Sequence, residues 1–238
     1  MYYRVLNHVT SFATSVALTG LLAVVAAGTA SAQKKYDAGA TDTEIKIGNI
    51  MPYSGPASAY GVIGKMEEAY FKMINEQGGI NGRKINFISY DDGYSPPKTV
   101  EQARKLVEAD EVLLVFNPLG TPGNTAIQKY MNAKKVPQIF VSTGAAKWND
   151  PKNFPYTMTL TPIYTAEASI YAAYVLKEVK DPQVAVLYQN DDLGKEFLKG
   201  VRKRMGAEAK STVVRQVRYE EHDAPVTPPV QAIPSTKH

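Results

Sequence analysis

Glu44-Ile45-Lys46-Ile47-Gly48-Asn49-Ile50-Met51 decides the fold: Ile alternates with polar residues as in a strand, and a helical pattern follows directly. From Gly61 to Gln77, Val62, Met66, Ala69, Tyr70, Met73 and Ile74 recur at three-to-four spacing on one face, and Gly78-Gly79 stops the helix. Lys84 to Tyr90 alternates again. Ser95 and Pro96 then open a helix that turns Val100, Ala103, Leu106 and Val107 inward. Glu111 to Phe116 is a continuous apolar run, as expected of a strand covered on both faces. Thr121-Pro122 opens the next helix, with Ala126, Ile127, Tyr130 and Met131 inward, and Pro137 to Val141 is a fourth strand. Strands separated by helices predict a parallel α/β sheet with right-handed crossovers.

Between Ser142 and Pro162 the rhythm breaks, with a crossing strand expected at Tyr156 to Leu160. It resumes with a helix over Thr165 to Val179 that uses Ala166, Ile170, Ala173 and Leu176. A strand over Gln183 to Tyr188 follows. Leu193, Phe197, Val201 and Met205 then stack at every fourth position, and Ser211 to Val217 is the last strand. At the N-terminus, Arg4 precedes an apolar stretch from Val16 to Ala27, and Ala30-Ser31-Ala32 supplies small residues for cleavage. That combination predicts a cleaved secretory signal. After His222, Pro225, Pro228, Pro229 and Pro234 come without any Leu, Phe, Tyr or Trp, the composition of a disordered tail.

The chain has no Cys, so disulfides, thiol nucleophiles and thiolate metal sites are excluded. His8, His222 and His238 all lie in the terminal segments, which removes His-based triads and His-rich metal sites from the folded part. Neither a G-x-G-x-x-G nor a G-x-x-x-x-G-K-[ST] pattern occurs. The expectation is a protein without catalytic residues, cofactor or metal. Twenty-seven basic against 23 acidic residues give a mixed surface, so no nucleic-acid partner is expected.

In an open parallel sheet, ligands bind beyond the carboxyl ends of the strands. Three loops there are rich in small residues: Pro52 to Gly61, Asn117 to Gly123 and Ser142 to Trp148. Thr121 and Thr143 add hydroxyls, Tyr60 and Trp148 offer apolar walls, and Gly120-Thr121-Pro122 leads into a helix N-terminus that favours a carboxylate. Each loop also reads as an ordinary turn. Asp91-Asp92 suits either a metal or a turn and cap. Asp191-Asp192 reads as a helix start, Tyr174 and Tyr188 as packing residues and Lys147 as solvated.

The ordered stretches Ser54-Gly55-Pro56 with Tyr60-Gly61, Ile74-Asn75-Glu76 through Gly78-Gly79-Ile80-Asn81-Gly82-Arg83, Tyr90-Asp91-Asp92, Thr143-Gly144-Ala145 and Tyr188-Gln189-Asn190-Asp191-Asp192-Leu193-Gly194 resemble the type I periplasmic solute-binding proteins of ABC transporters, in the branched-chain amino-acid class. The resemblance implies two Rossmann-like parallel-sheet lobes closing on a small ligand, an amino acid or organic acid, for delivery to an ABC permease in the membrane. Signal peptide 1–32, first lobe 33–160, partial second lobe 161–219 and tail 220–238 are the expected divisions. The ligand contacts carried over are Tyr60, Gly120, Thr121, Thr143, Gly144, Ala145, Ala146 and Tyr164. Ala146 stands where some relatives offer a second hydroxyl, and Ala146-Lys147-Trp148 looks more like relatives that take aromatic or other organic acids. Relatives continue past this chain's end, so the resemblance also implies C-terminal truncation. A ligand-sensing regulatory domain on the same fold, or a truncated non-functional remnant, are the alternatives.

Overall fold

The computed structural model describes residues 35–220 and Asp223. The signal-peptide expectation for 1–32 and nearly all of the tail expectation for 220–238 lie outside them. From Asp37 onward the described residues belong to one compact unit.

Strand β1 (Glu44–Met51) sits between β2 (Lys84–Asp91) and β3 (Leu114–Phe116), followed by β4 (Gln138–Val141) and β5 (Thr157–Thr159). All neighbours are parallel, and β1 and β2 pair in unbroken register from Glu44 with Lys84 to Met51 with Asp91. The segment read as a crossing strand is therefore the edge strand of this sheet. Helices α1 (Gly61–Glu76), α2 (Pro96–Glu108) and α3 (Thr121–Lys134) connect the strands. Beyond β5, α4 (Tyr164–Glu178) leads to a second sheet in which β6 (Val184–Gln189) and β7 (Val213–Tyr219) are parallel. Helix α5 (Asp192–Met205) and the short α6 (Ala209–Thr212) lie between them. Parallel strands joined by helices make this an α/β fold.

Alternation along β1 assigns its two faces. Ile50 and Gly48 meet α2 and α3 in a core with Ala103, Leu106, Val115, Ile127 and Met131, all buried. Asn49 and Met51 face α1. On that side Phe71 packs on Phe87 and Phe116, with ring centroids 5.2 and 5.7 Å apart, and Phe116 meets Phe140 edge-on at 5.6 Å.

Helix α1 forms over the expected residues but presents the adjacent stripe. Gly64, Glu67 and Phe71 approach the sheet, whereas Val62, Met66 and Tyr70 are 63%, 67% and 54% exposed. Any side chain at Gly64 would run into the Tyr53 hydroxyl, so only this stripe lets α1 come close. In α4, Ala168 and Ala172 are buried while Ile170 and Tyr174 are exposed, which corrects the packing assignment of Tyr174. The cause is the tight α4–α5 crossing at Gly200, where a β-carbon would lie 2.8 Å from that of Ala168. Strand β7 starts at Val213 rather than Ser211, because α6 takes the preceding residues.

Candidate functional site

Parallel pairing puts the carboxyl ends of β1 to β4 on one side, and the loops leaving them carry the site. Hydrogen-bonded networks hold those loops. Asp91, at the end of β2, accepts from the backbone amides of Tyr53, Ser54 and Gly93 at 2.9–3.1 Å through one oxygen. Asp92 is buried and accepts from the Tyr94 amide and the Thr99 hydroxyl. The pair thus serves the turn and ties it to the helix through Thr99, while Ser95, at the N-cap position, makes no side-chain capping bond. Asn49 donates to the carbonyls of Phe116 and Asn117, and accepts from Ser89, which meets the Tyr53 hydroxyl at 2.6 Å. Behind the third loop, Gln138 donates to Asn124, which donates to the carbonyls of Pro118 and Gly120. Buried polar chains of this kind make loops rigid, although the Gln138 side-chain oxygen finds no partner among the described residues.

Between these loops and the second sheet lies a cavity of about 480 Å³, within the range of small-molecule sites. Its first-sheet side is lined by Tyr60, Tyr94, Leu119, Gly120, Thr121 and Ser142, with Pro56, Ala57 and Ile63 at its edge. Tyr164 at the start of α4, Gln189 and Tyr219 at the carboxyl ends of β6 and β7, and Leu193 on α5 complete it. Among the described residues, none that lines it carries a formal charge. Gln189 donates to the Tyr94 hydroxyl at 3.3 Å and to Asp191 at 2.9 Å, so one amide ties the second sheet to the loop after β2. Burial, then Asp191 and Tyr60, raises the Tyr219 phenol above its usual value.

Of the carried-over contacts, Tyr60, Gly120, Thr121 and Tyr164 line the cavity. Thr143, Gly144, Ala145 and Ala146 stand behind it. Thr143 lies 2.5 Å from Thr121 and 2.9 Å from Tyr164, oxygen to oxygen. At Gly144 a β-carbon would lie 2.4 Å from the Pro162 carbonyl and 2.9 Å from the Tyr164 ring, so this glycine lets α4 start where it does. Ala145 is buried with Trp148 and Val141 against Tyr164, which places Trp148 in the core rather than on the cavity wall. The Ala146 amide donates to both carboxylate oxygens of Glu196, at 3.1 and 3.0 Å. Lys147 is paired with Asp192 at 2.6 Å rather than simply solvated. Asp191 accepts from the Gly194 amide as the N-cap of α5, as its position suggested.

Tyr94, Ser142, Gln189, Leu193 and Tyr219 were not among the expected contacts. All but Leu193, the second residue of α5, sit at or just beyond a strand's carboxyl end, the signal that would have found them.

Several carboxylates in and around the site are desolvated. Burial raises Glu67, Asp92, Asp191 and Glu196 above the usual carboxylate range, although their hydrogen bonds pull the other way. Asp91 also feels burial, but the Ser54 side chain and three backbone amides outweigh it and lower its pKa. A raised folded pKa adds stability below the unfolded value and loses it as pH rises through the folded value. Asp91 acts oppositely, losing its contribution only as pH falls through its lowered value. The melting temperature should therefore be higher at pH 5 than at pH 8 in the same salt, with a decline again in strong acid. A melt that rises steadily from pH 5 to 8 would contradict this.

A model of the family described as periplasmic binding protein matches residues 44–238. The leucine-specific-binding protein of Salmonella typhimurium is 25% identical over 169 residues, which cover 69% of this chain and 44% of that protein. A substrate-binding periplasmic protein from Ralstonia solanacearum superposes with a TM-score of 0.70 at 25% identity, over 80% of this chain and 53% of the other. A solute-binding protein of an ABC transporter from Rhodopseudomonas palustris BisB5, solved with 3,4-dihydroxybenzoic acid, shares the fold at a TM-score of 0.65 and 21% identity, over 79% and 51% of the two chains. The chain thus spans about half the length of the relatives it matches.

Proposed function

We propose, from the premise that the chain belongs to the periplasmic binding protein family, that its cavity holds a small carboxylate-bearing solute for import by an ABC permease. The solute is a branched-chain amino acid or an aromatic or other organic acid, the protein works in the periplasm, and it performs no covalent chemistry. The two sheets act as lobes, divided near residue 160, that close on the solute. One observation carries this reading: an uncharged, tyrosine-rich cavity bounded by the strand ends of both sheets and by the N-terminus of α3 at Gly120. Gly120, the N-cap of α3, makes no side-chain capping bond, and a carboxylate there meets backbone amides and the positive end of the helix dipole. Tyrosine faces and Leu119 suit an apolar or aromatic remainder. The ligand contacts assigned are Tyr60, Gly120, Thr121 and Tyr164, with Tyr94, Gln189 and Tyr219 added.

Thermal melts of the chain with leucine, isoleucine, valine, benzoate and hydroxybenzoates test it. A ligand at about 100 times its dissociation constant adds about 2.7 kcal/mol, which at this size raises the melting temperature by about 5–10 °C. A cooperative melt that no member of the panel moves would count against this solute class.

A further inference from the structure

Thr143 is buried, does not line the cavity, and stands between two residues that do. Its hydroxyl oxygen lies 2.5 Å from that of Thr121 and 2.9 Å from that of Tyr164. Each hydroxyl has one proton, and each oxygen–oxygen contact uses one. In the arrangement that leaves no buried hydroxyl proton without an acceptor, Thr143 donates to one neighbour and accepts from the other, so the three hydroxyls form a directed relay. In one direction Tyr164 keeps its proton for the cavity and Thr121 offers only lone pairs; in the other the roles exchange. In either direction the cavity meets one donor and one acceptor, never two donors.

We propose that Thr143 is a positioning residue that sets this pairing, and that the cavity thereby prefers a solute bearing a hydroxyl beside Thr121 and Tyr164. The inference rests on the reading of the cavity as a solute site. Thr121 and Tyr164 stand no further apart than two hydrogen bonds laid end to end, so one ligand oxygen bridges them. A ligand hydroxyl accepts from the donor end, donates to the acceptor end and closes a ring of four hydrogen bonds. Such rings strengthen through mutual polarisation. A carboxylate oxygen or a fluorine in that place cannot donate, and leaves lone pair facing lone pair. The carboxylate of the solute is thus directed to the amides at the start of α3 and its hydroxyl to the relay, which selects hydroxy acids over their parent acids.

Calorimetry with benzoate and with 2-, 3- and 4-hydroxybenzoate tests this on the wild type, Thr143→Val and Thr143→Ser. One hydroxy isomer should bind the wild type about tenfold more tightly than benzoate, the effect of two added hydrogen bonds. Thr143→Val should reduce that advantage to less than about threefold, and Thr143→Ser should restore it. A hydroxyl preference that survives Thr143→Val, or its absence from the wild type, would overturn the proposal. Tyrosine labelled with carbon-13 at its Cζ supplies a readout without ligand, the Tyr164 signal being assigned by its loss in Tyr164→Phe. It should move in Thr143→Val and stay in Thr143→Ser, and a signal unmoved in Thr143→Val would overturn the relay. If the signal moves but no acid binds, the relay stands, whereas the carboxylate reading and the solute preference built on it both fall.

Discussion

Gly120→Ala is expected to abolish useful ligand affinity while leaving the chain folded but weaker. Gly120 has φ +103° and ψ 129°, a region that residues with a side chain rarely occupy. Forcing alanine there costs about 1–3 kcal/mol in backbone strain. The added β-carbon would lie 2.7 Å from Cε2 of Tyr94, and the ring cannot simply step aside, because the Gln189 amide donates to its hydroxyl. Tyr94 must move at the cavity wall, and with it the bond that joins the second sheet to the first. Overpacking of this kind adds about 1–3 kcal/mol, so affinity should fall at least about tenfold. Gly78→Ala is the control: its φ is +108°, yet no atom lies within 4 Å of the added carbon and the cavity is elsewhere. That variant should share the strain and keep the affinity. Equal ligand affinity in the two variants, read by calorimetry, would show that the Tyr94 contact carries nothing.

Much of this arrangement is legible in the sequence, and the failures have identifiable causes. Strand β1 is read residue for residue, because Ile45 and Ile47 alternate with polar neighbours and Ile50 and Met51 then bury opposite faces of a strand covered on both sides. In α1 two apolar stripes lie one residue apart, and the purer one, with Val62, Met66 and Tyr70, faces solvent. The buried stripe contains Glu67, which periodicity counts against it. Glu67 is there to bond Asn49 and Asn117 beneath the site loops, a polar task no hydrophobic pattern anticipates. Gly64 supplies the remaining reason, since a close approach is invisible until the neighbour, Tyr53, is known.

At the site, loops of small residues were found because strand ends and helix starts have sequence signatures. Which face of each loop meets the cavity was not legible. Thr143 to Ala146 sit behind the wall, held by Thr121, Tyr164 and Glu196, and all three partners are remote in the chain. Tyr94 was overlooked because Asp91-Asp92 beside it drew the reading toward metal or turn. The turn reading holds: both carboxylates accept from loop amides, Asp92 also from Thr99, and the bond from the Tyr94 amide to Asp92 helps place Tyr94.

Trp148→Ala should destabilise the fold most of all. Trp148 is the chain's one tryptophan and is 1% exposed, packed with Val141 and Ala145 against Tyr164. Truncating a buried aromatic of this size costs about 3–5 kcal/mol, a large part of the 5–15 kcal/mol that holds a domain together. The void left behind would also free the Tyr164 ring that lines the cavity between the sheets. Urea unfolding followed by circular dichroism should place the midpoint far below that of the wild type with an unchanged slope. The indole N–H, however, is buried without a hydrogen-bond partner among the described residues, and an unpaired buried donor costs about 1–3 kcal/mol. Phenylalanine keeps an aromatic ring and removes that donor, so Trp148→Phe should recover most of the loss. If alanine and phenylalanine are equally damaging, an ordered water satisfies the indole and the N–H itself stabilises the turn. If alanine costs less than about 1 kcal/mol, the segment from Ala146 to Asn149 is not the packed support for Tyr164 that the contacts describe.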